Sequence, residues 1–74
     1  MKAMSEIALD VTTKIAKELS DCMEDCKKGA ISIELRGFVI RTILNIMDEW
    51  TPRLNYRTRC EVLDWVQREF GICM

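Results

Sequence analysis

Four cysteines and no histidine bound the chemistry open to this 74-residue chain. Cys22 and Cys26 are four residues apart, so a helix through them carries both thiols on one face. Cys60 and Cys73 are distant and unpaired. Structural zinc sites draw on short-spaced ligand pairs, usually in loops, and this spacing supplies no such set. A bridge between Cys22 and Cys26 would be strained, because both side chains leave one helix in nearly the same direction. The thiols are therefore expected to act as small hydrophobes, with no metal and no cofactor. Lack of histidine removes the usual base at neutral pH. There is no glycine-rich phosphate loop and no nucleophile beside an activating partner. The acidic group Glu18, Asp21, Glu24 and Asp25 reads as a solvated face. The expectation is a protein that is not an enzyme.

Recognition chemistry is concentrated instead between Trp50 and Arg59. Arg53, Tyr56, Arg57 and Arg59 combine arginine forks with an aromatic face, Asn55 adds an amide, and no carboxylate lies in the segment. Aromatic and arginine side chains dominate protein interfaces, so these four residues are the expected site for a protein partner. The same set suits phosphate contacts and base stacking, which makes nucleic acid or a nucleotide the alternative ligand. The formal net charge of -1 gives no global signature for nucleic acid or anionic membrane.

These residues must be positioned by helices. Ile33 to Trp50 is the most apolar stretch, and its apolar residues form two adjoining helical rows, Leu35/Val39/Ile43/Ile46/Trp50 and Ile33/Ile40/Leu44/Met47. At ~100° per residue the rows merge into an arc of roughly 200°, about twice what a surface helix needs. Such a helix must be covered on two sides. Ile40, Leu44, Met47 and Trp50 are expected to meet the third helix or a second copy of the chain. Gly37 costs ~1 kcal/mol relative to alanine in a helix, and close approach of a neighbouring helix would account for it.

Before this stretch, residues 5–28 read as one long helix. Ser5 is its N-cap, Ile7, Val11, Ile15, Leu19, Cys22 and Cys26 form its stripe, and Gly29 closes it. Straight, it would be a rod of roughly 36 Å. Gly29 to Ser32 leaves room only for a tight reversal, which predicts an antiparallel helical hairpin. Pro52 ends the second helix, and Thr51 with Pro52 could open a short turn. Thr58-Arg-Cys-Glu61 fits a capping box, so the third helix is expected from about Arg59 to Phe70, or from as early as Pro52. Leu63, Val66 and Phe70 then face inward with Cys60 and Val62, and Trp65 lies at their border. Gly71 closes the helix, with Ile72 folding back on Val66 as in a Schellman end.

Two segments resemble parts of helix-turn-helix proteins. Thr12-Thr-Lys-Ile-Ala-Lys-Glu-Leu-Ser20 is similar to the opening helix of that motif, and Arg59-Cys-Glu-Val-Leu-Asp-Trp-Val-Gln-Arg-Glu-Phe-Gly-Ile72 to a first helix and its turn. Both stop before the half that reads DNA.

The expected fold is all-α: residues 1–74 as a single small domain, a long antiparallel hairpin plus a shorter third helix, packed in a homo-oligomeric bundle. Nearly half the residues, 49%, are hydrophobic, more than so short a chain easily hides alone, which favours self-association. Met1-Lys2-Ala3-Met4 leads directly into an amphipathic pattern without a targeting segment, and Glu34, Arg36 and Arg41 interrupt the central stretch too often for a membrane span. A cytoplasmic protein follows. The expected function is that of a small binding protein, a regulator, inhibitor or adaptor acting through protein–protein contacts. Accessory proteins of phages and mobile elements share this compact, histidine-free helical composition.

Overall fold

A computed structural model describes residues 4–50, 52 and 54–72. The chain forms three packed helices, α1 (Glu6–Lys28), α2 (Ile33–Glu49) and α3 (Tyr56–Phe70), with no strand among the described residues.

Both ends of α1 form as the sequence predicts. Ser5 is extended (φ -62°, ψ 158°), and its hydroxyl accepts from the Ala8 amide at 3.3 Å. Gly29 is left-handed (φ 73°). Its amide donates to the Cys26 carbonyl and that of Ala30 to the Asp25 carbonyl, which is the full Schellman pair.

Between its ends α1 is not the straight rod expected. Leu19 leaves helical geometry (φ -115°, ψ 17°), and the longest dimension of the whole molecule is 32 Å. Two contacts with α3 require the bend. Near the start of α1, the Ser5 amide donates to the Glu61 carboxylate at 2.9 Å. At its far end, a Cβ on Gly71 would lie 3.3 Å from the Lys27 carbonyl oxygen. Ser5 and Lys27 would be about 33 Å apart along a straight helix, whereas Glu61 and Gly71 are separated by only about 15 Å along α3. A straight α1 could not meet both. The bend falls where Ser20 and Asp21 follow Leu19, short polar residues that compete with helical backbone bonding. There the Cys22 thiol donates to the Leu19 carbonyl at 3.5 Å.

The start of α3 also differs from expectation. Asn55, not Thr58, is the N-cap: its side-chain oxygen accepts from the Thr58 amide at 2.8 Å. Asparagine is among the strongest N-caps, and it places Thr58 three residues inside the helix, where its side chain is buried. Glu61 is thereby released from the predicted capping box and bonds Ser5 instead. The buried stripe runs Thr58, Val62, Val66, Phe70, and Cys60 is exposed rather than inward. Two residues from both Thr58 and Val62, it cannot share their face. At the far end Gly71 (φ 65°) makes a single amide bond to the Gln67 carbonyl, the simple left-handed end rather than the Schellman pair. Ile72 is nonetheless buried.

The core is built around α1. Ala8, Val11, Ile15, Leu19 and Cys26 meet Val62, Val66 and Phe70 of α3 and Val39, Ile43, Ile46 and Met47 of α2 in one cluster. Phe70 is fully buried, and the Trp65 ring packs edge-on against it at 5.9 Å. α1 packs most extensively on α3 and less on α2, whereas α2 and α3 scarcely touch. One face of α2 is therefore covered, and the other is not. Ile33 is 88% exposed, Phe38 58% and Leu44 50%. The neighbouring helix expected at Gly37 is not found among the described residues: a Cβ there would meet nothing within 4 Å.

Candidate functional site

Because α2 and α3 both pack on α1 but hardly on each other, a groove opens between them. Its volume is about 300 Å³, and it is lined by Leu44, Asn45, Met47 and Asp48 of α2 with Arg59 and Leu63 of α3. Each lining residue follows from helical register. Leu44 and Met47 lie three apart on α2, at the edge of the face buried through Ile43 and Ile46. Arg59 and Leu63 lie four apart on α3, beside the buried stripe of Thr58, Val62 and Val66. The floor is apolar: Met47 is buried, Leu63 half-buried and Leu44 half-exposed. The rim carries the Arg59 guanidinium, the Asp48 carboxylate and the Asn45 amide, which suits a ligand with an apolar anchor and a polar edge.

The groove joins residues that sequence patterning assigns to two separate roles. Arg59 comes from the set expected to bind a partner, and Leu44 and Met47 from the set expected to mediate self-association. Tyr56, one turn before Arg59 and Cys60 on α3, is 83% exposed, and Arg57 is exposed beside it. Arg53, Thr51 and Cys73 lie outside the described residues. Ile40 and Trp50 are half-buried against the chain's own core, Trp50 as the C-cap of α2. Leu63 is the site residue that patterning misses, since it places this side chain simply inward. Its signal is positional: on a wheel it sits at the border of the α3 stripe, as Leu44 does on α2.

Burial, together with the neighbouring Cys22 thiol, pushes the Cys26 thiol above its ordinary value, while the positive charge of Arg36 acts in the opposite sense. Cys26 is thus held as a neutral thiol rather than a nucleophilic thiolate. No group of three Cys, Asp or Glu side chains among the described residues could hold a metal ion. The acidic residues Glu18, Asp21, Glu24 and Asp25 are all exposed, and Glu24 pairs with Lys28 at 3.0 Å. Among the described residues no buried side-chain nitrogen or oxygen lacks a hydrogen-bond partner. No described helix is long and apolar enough to cross a membrane. No protein-family model matches the chain, and neither the curated proteins nor the solved structures contain a match to it.

Proposed function

We propose that the protein is a small non-enzymatic binding protein, a regulator, inhibitor or adaptor that acts by seating part of a protein partner in the α2/α3 groove. The observation that carries this is the coincidence of an open apolar floor, Leu44, Met47 and Leu63, with the Arg59 guanidinium at its rim. Exposed Tyr56 and Arg57 extend the surface, and Arg53 belongs to the same segment of sequence. Tyrosine and arginine beside an apolar pocket are the usual anchors of a protein interface. The chain acts in the cytoplasm, which suits the free thiols Cys22, Cys26 and Cys60.

Two finer features of architecture belong to the same proposal. α1 and α2 form an antiparallel hairpin: only Gly29 to Ser32 separates them, and Lys14 of α1 pairs with Glu49 at the end of α2 at 3.8 Å. The chain works as a homo-oligomer, because Ile33 and Leu44 are large apolar residues left on one exposed face of α2.

The test is capture of the partner on the immobilised protein from a lysate of the native host, followed by titration with variants. Leu44→Glu and Arg59→Glu should each weaken the captured partner by at least about thirtyfold if they are hot spots. Both changes are at exposed positions and should leave the helical circular dichroism intact. Equal affinities for wild type and variants would move the binding surface out of the groove. Salt-sensitive retention on DNA or RNA that Arg57→Glu abolishes would instead support a nucleic-acid ligand for this segment.

A further inference from the structure

The exposed face of α2 carries a register of its own. Ile33, Gly37, Ile40 and Leu44 fall within about 60° of one another at 100° per residue. Glu34 and Arg41 adjoin them on the same flank, within about 20° of each other. Both are exposed, and neither is ion-paired among the described residues. They are seven residues apart, about 10 Å along the helix, and so are poorly placed to pair within one chain. At the middle of this pattern is Gly37, whose cost to the helix nothing among the described residues explains, since none of their atoms approaches the position of its missing Cβ.

We infer that a second copy of the chain packs on this face, with the α2 helices antiparallel and the two-fold axis passing beside Gly37. This rests on the self-association proposed above and specifies its geometry. A two-fold axis at residue 37 sets each residue before it level with one the same distance after it. Ile33, four before, then meets Ile40 of the second copy, three after. Glu34, three before, meets Arg41 of the second copy, four after. An axis perpendicular to both helices keeps the flanks on one side, so the two Glu34–Arg41 pairs form along the same edge of the interface. Every contact occurs twice, as an isologous interface requires. Gly37 faces Gly37 at the crossing, where a side chain would hold the backbones apart. Arg36, the other charge in this turn, lies towards α1, near enough to Cys26 for its positive charge to act on that thiol. Leu44 lies about 10 Å from the axis, beyond the start of α2 in the second copy.

Charge reversal with sedimentation tests this register. Wild type should sediment as a dimer at high micromolar concentration. Glu34→Arg and Arg41→Glu should each weaken dimerisation by about tenfold or more, because each sets like charges opposite one another twice. The double variant Glu34→Arg/Arg41→Glu should recover most of the loss, and Gly37→Leu should abolish the dimer while leaving the monomer folded. A wild type that remains monomeric would overturn self-association altogether. A dimer indifferent to both single reversals and to Gly37→Leu, or one the double variant fails to restore, would overturn this register and leave self-association standing.

Discussion

The α1/α3 pair and α2 use comparable apolar patterns to opposite ends. In the pair, the capping and closing residues are used inside the chain: Asn55 and Ser5 cap their own helices, Glu61 ties the two starts together, and Gly71 lets the far ends close. α2 has the wider apolar arc, yet only Val39, Ile43, Ile46 and Met47 are buried, and Ile40 is half-buried beside them. Ile33 and Leu44 are left on the surface, in a row that passes through an unexplained glycine. The width of an apolar arc states how much surface must be covered, not which molecule covers it. When a helix carries more apolar surface than its own chain meets, the excess is the surface on which the proposed association rests.

The sharpest way to break the comparison is to remove one large side chain from each side. Phe70→Ala, in the fully buried α1/α3 layer, should cost about 3–5 kcal/mol through lost burial and an unfilled cavity. Leu44→Ala, at a half-exposed position on α2, should cost the isolated chain less than about 1 kcal/mol. Urea denaturation at low protein concentration measures both. Similar losses would mean that the exposed row of α2 is as much part of the folding core as α3.

Gly71 offers a second, smaller contrast. Its left-handed backbone opposes a side chain, and so does the Lys27 carbonyl oxygen, 3.3 Å from the point a Cβ would occupy. Gly71→Ala should therefore destabilise by about 1–2 kcal/mol, more than the ordinary difference between the two residues. A thermal midpoint unchanged by this substitution would show that the end of α3 is not clamped against α1.

Much of the fold is legible in the sequence because it is local. The Ser5 cap, the Gly29 end, the α1 stripe and the buried row of α2 are set by residues within a few positions of one another, which helical periodicity reports directly. The errors arise where a tertiary contact chooses between local options. Thr58-Arg-Cys-Glu61 has the composition of a capping box, but Asn55 can cap the same region three residues earlier, leaving Glu61 to bond Ser5, 56 residues away. The bend at Leu19 likewise follows from matching the long α1 to the short α3 at both ends. Its local trace, Ser20-Asp21, is too weak to stand out in a continuous stripe. The groove is half legible: Arg59, Leu44 and Met47 each stand out by type and spacing, but only the packing of both helices on α1 brings them together. Leu63 gives only a positional signal, as a border residue of the α3 stripe.

Gly37 gives the smallest expected effect and the finest test of the difference between the two sides. Its φ is not in the left-handed region, so alanine fits the backbone without strain. A Cβ there would meet no atom of the described residues within 4 Å, so none of them opposes one. Alanine also has the better helix propensity, and in this interior position Gly37→Ala should stabilise the dilute monomer by somewhat less than ~1 kcal/mol. In a chain of this size that raises the thermal midpoint by a few degrees. Gly71→Ala should move it the other way, although the chemical change is identical. The measurement is a pair of thermal melts at low micromolar concentration, where association is minimal. If Gly37→Ala were neutral or destabilising under those conditions, some part of the same chain would have to approach α2 at residue 37, and the exposed row would not be free to receive a partner.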